Sequence, residues 1–112
     1  MMGGKMPKGL SGMMKQAQKL QRKMEEIQSA LEERRIEASS GGGMVTAIVN
    51  GRQDLLELKI DPAVVDPDDV EVLEDLVVAA IRKAMDESRK VAEEEMKKAT
   101  SGLLPDMGGL KL

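Results

Sequence analysis

Between residues 13 and 31 the apolar side chains Met13, Ala17, Leu20, Met24, Ile27 and Leu31 recur at intervals of 4, 3, 4, 3 and 4. That alternation is the heptad seam of a long helix with a narrow sticky stripe. Such a helix cannot bury its seam alone, so it must pair with a second helix or with a copy of itself. Few other residues can build a core. Leu, Ile and Val number 12, 5 and 9 in 112 residues, about 23%, against the ~20% below which charged chains tend to stay disordered. Phe, Tyr and Trp are absent, and the ten Met are soft filler that specifies no single geometry. A second subunit is therefore expected to complete the core.

Away from the seam the period changes. Residues 1–10 (MMGGKMPKGL) carry Gly, Pro and Lys without periodicity and read as a flexible arm, with Ser11 the expected N-cap of the helix. Ile36 to Ser40, Gly41-Gly42-Gly43 and Met44 to Val49 read as strand, glycine turn and strand. Asn50-Gly51 before Arg52 to Ile60 signals a two-residue type I′ hairpin. Val45, Ala47 and Val49 fall on one face of the second strand; Leu56, Leu58 and Ile60 alternate along the third. Asp61-Pro62 ends the sheet.

Asp66-Pro67-Asp68-Asp69 predicts the start of a second helix, with an Asp cap, Pro at its first position and acids where the helix dipole favours them. Its apolar and small positions (Val70, Leu73, Val77, Ala80, Ile81, Ala84, Ser88, Val91, Ala92) keep one face, and Gly102 marks a stop. From Pro67 to Thr100 such a helix would be roughly 50 Å long, whereas strands of this length span only ~25 to 30 Å. The expected architecture is α+β: one α-β-β-β-α domain over 11–102, a long helix, a three-stranded antiparallel meander and a second long helix, with projecting helix ends. Residues 103–112 read as a loose tail.

Charge is segregated. Residues 1–24 contain Lys5, Lys8, Lys15, Lys19, Arg22 and Lys23 and no acid, a segment charge of +6, while the remaining 88 residues sum to −9. Lys15, Lys19 and Arg22 are spaced i, i+4, i+7, with Lys23 beside them. They form one helix face roughly 10 Å long, suited to gripping phosphates of duplex DNA or, more blandly, to staying solvated. The pairs Arg82-Lys83, Arg89-Lys90 and Lys97-Lys98 on the second helix are interleaved with acids and read as intrahelical partners.

Much chemistry is excluded. With no His and no Cys there is no imidazole base, thiolate or soft metal ligand, and no carboxylate pair stands out as a catalytic dyad, so no enzymatic activity, metal or cofactor is expected. The glycine triplet lacks the Lys-Ser/Thr of a phosphate loop, and the Asp66 to Glu71 cluster lacks the central Gly and closing Glu of a calcium loop. The longest strongly apolar run, Leu76 to Ile81, is too short for a membrane span, and no export segment is visible, so a cytoplasmic location is expected.

Three ordered stretches carry a resemblance: Met14-Lys15-Gln16-Ala17-Gln18-Lys19-Leu20-Gln21; Gly42-Gly43-Met44-Val45 with Asn50-Gly51 and Ile60-Asp61-Pro62; and Leu73-Glu74-Asp75-Leu76-Val77-Val78-Ala79-Ala80. Together they resemble the YbaB/EbfC family of bacterial nucleoid-associated proteins. The resemblance implies a homodimer whose sheets and second helices pack together, helices that straddle duplex DNA like tweezers, a nucleoid-linked location and no catalysis. Arg82-Lys83 departs from the polar Asn-Asp-like pair common in the family.

From these readings, Lys15, Lys19, Arg22 and Lys23, with Lys5 and Lys8, are the expected DNA-binding residues. Val77, Ala80, Ile81 and Ala84, with the apolar sheet face, are the expected dimer interface. No membrane or small-molecule partner is expected. A protein-binding scaffold or prefoldin-like holdase is the competing reading, since a Met-rich seam between two long helices could clasp apolar clients. It would want apolar surface at the helix tips, where this chain carries Lys.

Overall fold

The computed structural model describes residues 8–103. The order is α1 (Lys8–Glu33), β1 (Ile36–Ser40), β2 (Val45–Val49), β3 (Leu55–Ile60) and α2 (Val70–Leu103), with short 3-10 turns at Gly41–Gly43 and Pro62–Val64. The three strands form one antiparallel sheet in the order β1-β2-β3, so the architecture is the expected α+β arrangement. α1 starts at Lys8, earlier than the expected cap at Ser11.

The β1–β2 connection needs its glycines. Gly41, Gly42 and Gly43 have φ of +60°, +68° and +94°, a left-handed run that any Cβ would strain. It sets the register Ser40 opposite Val45 and Ile36 opposite Val49.

The β2–β3 connection differs from expectation. It is a five-residue loop, Asn50 to Asp54, and β3 begins at Leu55, not Arg52. The positive φ lies at Gln53 (+66°) and not at Gly51, so this is no type I′ turn. Asn50 builds the loop from inside: its Oδ1 accepts from the backbone N–H of Arg52 (2.9 Å) and Asp54 (3.0 Å), and its Nδ2 donates to Asp54 Oδ2 (2.9 Å). Gly51 is there for space. Its N–H donates to the Leu31 carbonyl at 2.7 Å, and a Cβ would meet Leu31 Cδ2 at 2.7 Å.

The start of α2 also differs. Asp66 to Asp69 form a turn ahead of the helix: Asp66 Oδ1 accepts from Asp68 N (2.9 Å), and its carbonyl accepts from Asp69 N (3.0 Å). Asp at the first and Pro at the second position are the chemistry of a β-turn, so the helix begins only at Val70. The same pairing recurs at Asp61-Pro62, where Asp61 Oδ1 caps the 3-10 turn through Ala63 N.

α2 has two tasks. Its first half lies over β1 and β2, where Ala80 and Ala84 meet Val45, Ala47 and Val49 in a fully buried cluster flanked by Leu73, Val77, Ile81 and Met85. Ala80, Ala84 and Ser88, at i, i+4 and i+8, are all 0% exposed, and their small size lets the helix approach the sheet closely. Of the four residues expected at an interface between copies, Ala80 and Ala84 therefore have no surface left to offer. They are the protomer's own core.

Beyond Ser88 the helix leaves the sheet and meets α1. Val91, Ala92, Met96 and Ala99 pack with Ile27 and Leu31, so α2 is the second helix the seam requires. Both helices are tied to one loop: Leu31 accepts from Gly51, and Ser88 Oγ donates to the Asn50 carbonyl at 2.7 Å. From that anchor α1 departs toward lower residue numbers and α2 toward higher ones, so they run side by side in opposite directions. The result is elongated, 79 × 36 × 18 Å, with a radius of gyration of 22.1 Å against ~13 Å for a compact 100-residue domain.

Candidate nucleic-acid interface

The free end of α1 carries the charge. At about 100° per residue, Lys15, Lys19 and Arg22 lie within about 60° of one another on the side opposite the Met13–Leu31 seam. All three, and Lys23 beside them, are exposed. None makes an ion pair with a described residue. Lys8 opens α1, its side chain outside those described, and Lys5 lies outside the described residues.

Elsewhere the cations are mostly engaged. On α2, Arg89 pairs with Asp86, Lys90 with Glu87 at 4.0 Å and Lys98 with Glu95 at 3.7 Å, each one turn back along the helix. Arg34 reaches Glu95 and Arg52 reaches Glu32, both at 3.6 Å, bracing the anchor of the two helices. Lys59 pairs with Glu57 on β3 at 3.3 Å. Exposed pairs of this kind add little stability, but each half-neutralises its cation as a phosphate ligand. Lys83 has no acid; its Nζ donates to the Ser39 carbonyl at 3.3 Å. Arg35, Arg82 and Lys97 make no ion pair among the described residues and are scattered over separate parts of the surface.

A row of free cations on an exposed helix end can do one thing well, which is to meet a polyanion without first breaking internal pairs. Among the described residues no group of three or more acids is placed to hold a metal, and no helix is long and apolar enough to cross a membrane.

Two features went beyond the sequence reading. The first is the anchor formed by Leu31, Asn50, Gly51 and Ser88, which aims the basic helix; its one visible signal is a serine continuing the Ala80, Ala84 stripe. The second is apolar surface at the tip itself. Leu10, Met13 and Met14 are exposed, Met13 at 70%, so the tip is both cationic and apolar. The expectation that it offers Lys in place of apolar surface is corrected: beyond the anchor α2 is shorter than α1 and stops before the tip, leaving these side chains uncovered.

Comparison with known proteins supplies an independent line. The profile of the YbaB/EbfC DNA-binding family matches residues 6–103. A nucleoid-associated protein of Alkaliphilus metalliredigens is 47% identical over 94 residues, covering 84% of this chain and 82% of that one. Another, from Clostridium novyi, is 48% identical over 107 residues, covering 95% and 92%. Among solved structures, an uncharacterized Helicobacter pylori protein superposes with a TM-score of 0.61 at 22% identity over 90% of this chain and all of that one, a likeness of fold.

Proposed function

Because the chain belongs to the YbaB/EbfC DNA-binding family, we propose that it is a homodimeric, nucleoid-associated binder of duplex DNA that grips phosphates with Lys15, Lys19, Arg22 and Lys23 of α1. The observation that carries this reading is the contrast in pairing: the cations of α1 make no ion pair with a described residue, whereas Arg89, Lys90 and Lys98 of α2 are held by acids. Lys5 and Lys8 extend the same charged segment. Contacts of this type hold DNA without reading its bases, and a chain without aromatic residues has no ring to wedge between base steps. Binding of this kind involves no catalytic step.

The second copy joins along β3. This strand is at the sheet edge, and Leu55, Leu56, Leu58 and Ile60 are 46%, 47%, 37% and 37% exposed. An uncovered apolar edge is a pairing site, and a two-fold operation laying β3 against its copy makes one six-stranded sheet with a basic helix from each protomer. Val77 and Ile81, which keep part of their surface, adjoin the same core.

The test is the salt dependence of binding to two unrelated duplexes of equal length. Eight cations per dimer set an upper limit of about −7 for the slope of log K against log[salt], and partial engagement gives roughly −3 to −6 on both duplexes. A slope near zero, or strong binding to only one duplex, contradicts the proposal.

A further inference from the structure

The α1 seam is covered only in part. Ile27 and Leu31 are buried against α2, but toward the N-terminus the same heptad line continues through Leu20 and Ala17 to Met13 in solvent. A phosphate grip does not use this line, because Lys15, Lys19 and Arg22 occupy the opposite side of the helix. Gly9 and Gly12 flank Met13, and a Cβ at either would meet nothing within 4 Å, so the backbone here is open to close approach. The outcome is a shallow groove along Gly9, Gly12, Met13, Gln16, Ala17 and Leu20.

We infer that this groove is the docking site of the chain's own C-terminal segment, residues 104–112. The position of the chain end supports it. α2 runs opposite to α1, Ala99 shares a buried cluster with Ile27 and Leu31, and Leu103 lies four residues on, about 6 Å farther along the axis. The segment thus emerges where the covered half of the seam stops. Nine residues reach about 30 Å extended, and Met24 to Met13 along α1 is only about 17 Å.

The sequence of the segment fits as well. LPDMGGLKL offers Leu104, Met107, Leu110 and Leu112 as apolar groups, and its charged side chains are one Asp106 and one Lys111. Pro105 lacks the N–H a continuing helix needs, so the seam is met by a segment that leaves the α2 axis. Tethering also gives the segment a millimolar effective concentration that a separate partner lacks.

The native chain has no Cys, so disulfide trapping in the full-length protein is clean. Ala17→Cys combined with Met107→Cys places one thiol in the groove, about 10 Å from Met24 along α1, and one at the matching distance along the extended segment, so docking brings the pair toward the 4.4–6.8 Å Cα separation a disulfide tolerates. Gln18→Cys with Met107→Cys puts the first thiol about 100° round the helix and serves as the control. Expected is an intrachain disulfide forming at least about ten times faster for the Ala17 pair. Equal rates, or disulfides only between chains, overturn the inference. As a second readout, L110S/L112S in the otherwise native chain should speed peroxide oxidation of Met13 several-fold; an unchanged rate also overturns it.

Discussion

The Gly51 N–H donates to the Leu31 carbonyl at 2.7 Å, joining the β2–β3 loop to the last turn of α1. One of the carbonyls left over at a helix C-terminus is thereby satisfied by the sheet, and the basic helix gains a fixed direction. A methyl group at position 51 would sit 2.8 Å from that same carbonyl oxygen and 2.9 Å from Leu31 Cβ, and neither can swing away. Gly51→Ala should therefore cost about 1–3 kcal/mol, the range of overpacked sites. Ser29→Ala, on the exposed face of α1 away from the seam, should stabilise by about 0.5 kcal/mol. Urea unfolding of the two variants checks both signs.

Ser88 holds the other helix to the same loop. Its hydroxyl is fully buried and donates to the Asn50 carbonyl at 2.7 Å. Ser88→Ala removes the donor and leaves only the hydroxyl's small volume empty, so a loss of about 1 kcal/mol is expected. Ser88→Val adds further bulk at a fully buried site and should cost more. Thermal melts that rank alanine below valine would contradict this packing.

Asn50 is worth more than its dipeptide suggests. Asn50→Asp keeps the acceptor for Arg52 N and Asp54 N but sets a carboxylate against Asp54 in place of the donated bond at 2.9 Å. It should destabilise more than Asn50→Ser, which removes that repulsion. Denaturation at two salt concentrations separates them, since only the Asp variant should recover in high salt.

Dimer formation is assigned to β3. L58D/I60D buries two carboxylates in the proposed interface, while in the protomer both side chains are partly exposed and sit opposite Ala47 and Val45. Sedimentation should shift from dimer toward monomer with the helical content kept. A dimer of undiminished strength would move the interface elsewhere.

The elements themselves were legible because periodicity reports which side can be buried: Ile27 and Leu31 of the seam, and Val45, Ala47 and Val49 of β2, face the cores their spacing implies, while the seam toward Met13 stays exposed. Loops were less legible, because short turn motifs are degenerate. Asn-Gly suits a tight hairpin, yet here the Asn bonds across a five-residue loop and the Gly makes room for Leu31. Asp-Pro suits a helix start or a turn, and residues 66–69 use it as a turn. The Ala80, Ala84 stripe announced close packing without naming its partner, and its own sheet took the place of a second copy. The cationic face was readable as a pattern, but whether each cation is free depends on which acid one turn away it takes: Arg89, Lys90 and Lys98 pair as the interleaving implies, while Arg82 and Lys97 make no ion pair among the described residues.

That dependence is the most direct test. K19A/R22A removes two cations with no ion pair among the described residues, and R89A/K90A removes two that are already paired with Asp86 and Glu87. Both are exposed and neither lies in a core, so the fold should survive in each. The measurement is the slope of log K against log[salt] for a duplex of random sequence. It should flatten by about two to 3.6 for K19A/R22A, four cations per dimer at 0.9 each setting the upper bound, and by less than about one for R89A/K90A. If R89A/K90A flattened the slope and K19A/R22A left it unchanged, DNA would lie along α2, and the assignment of α1 as the phosphate-gripping helix would be wrong.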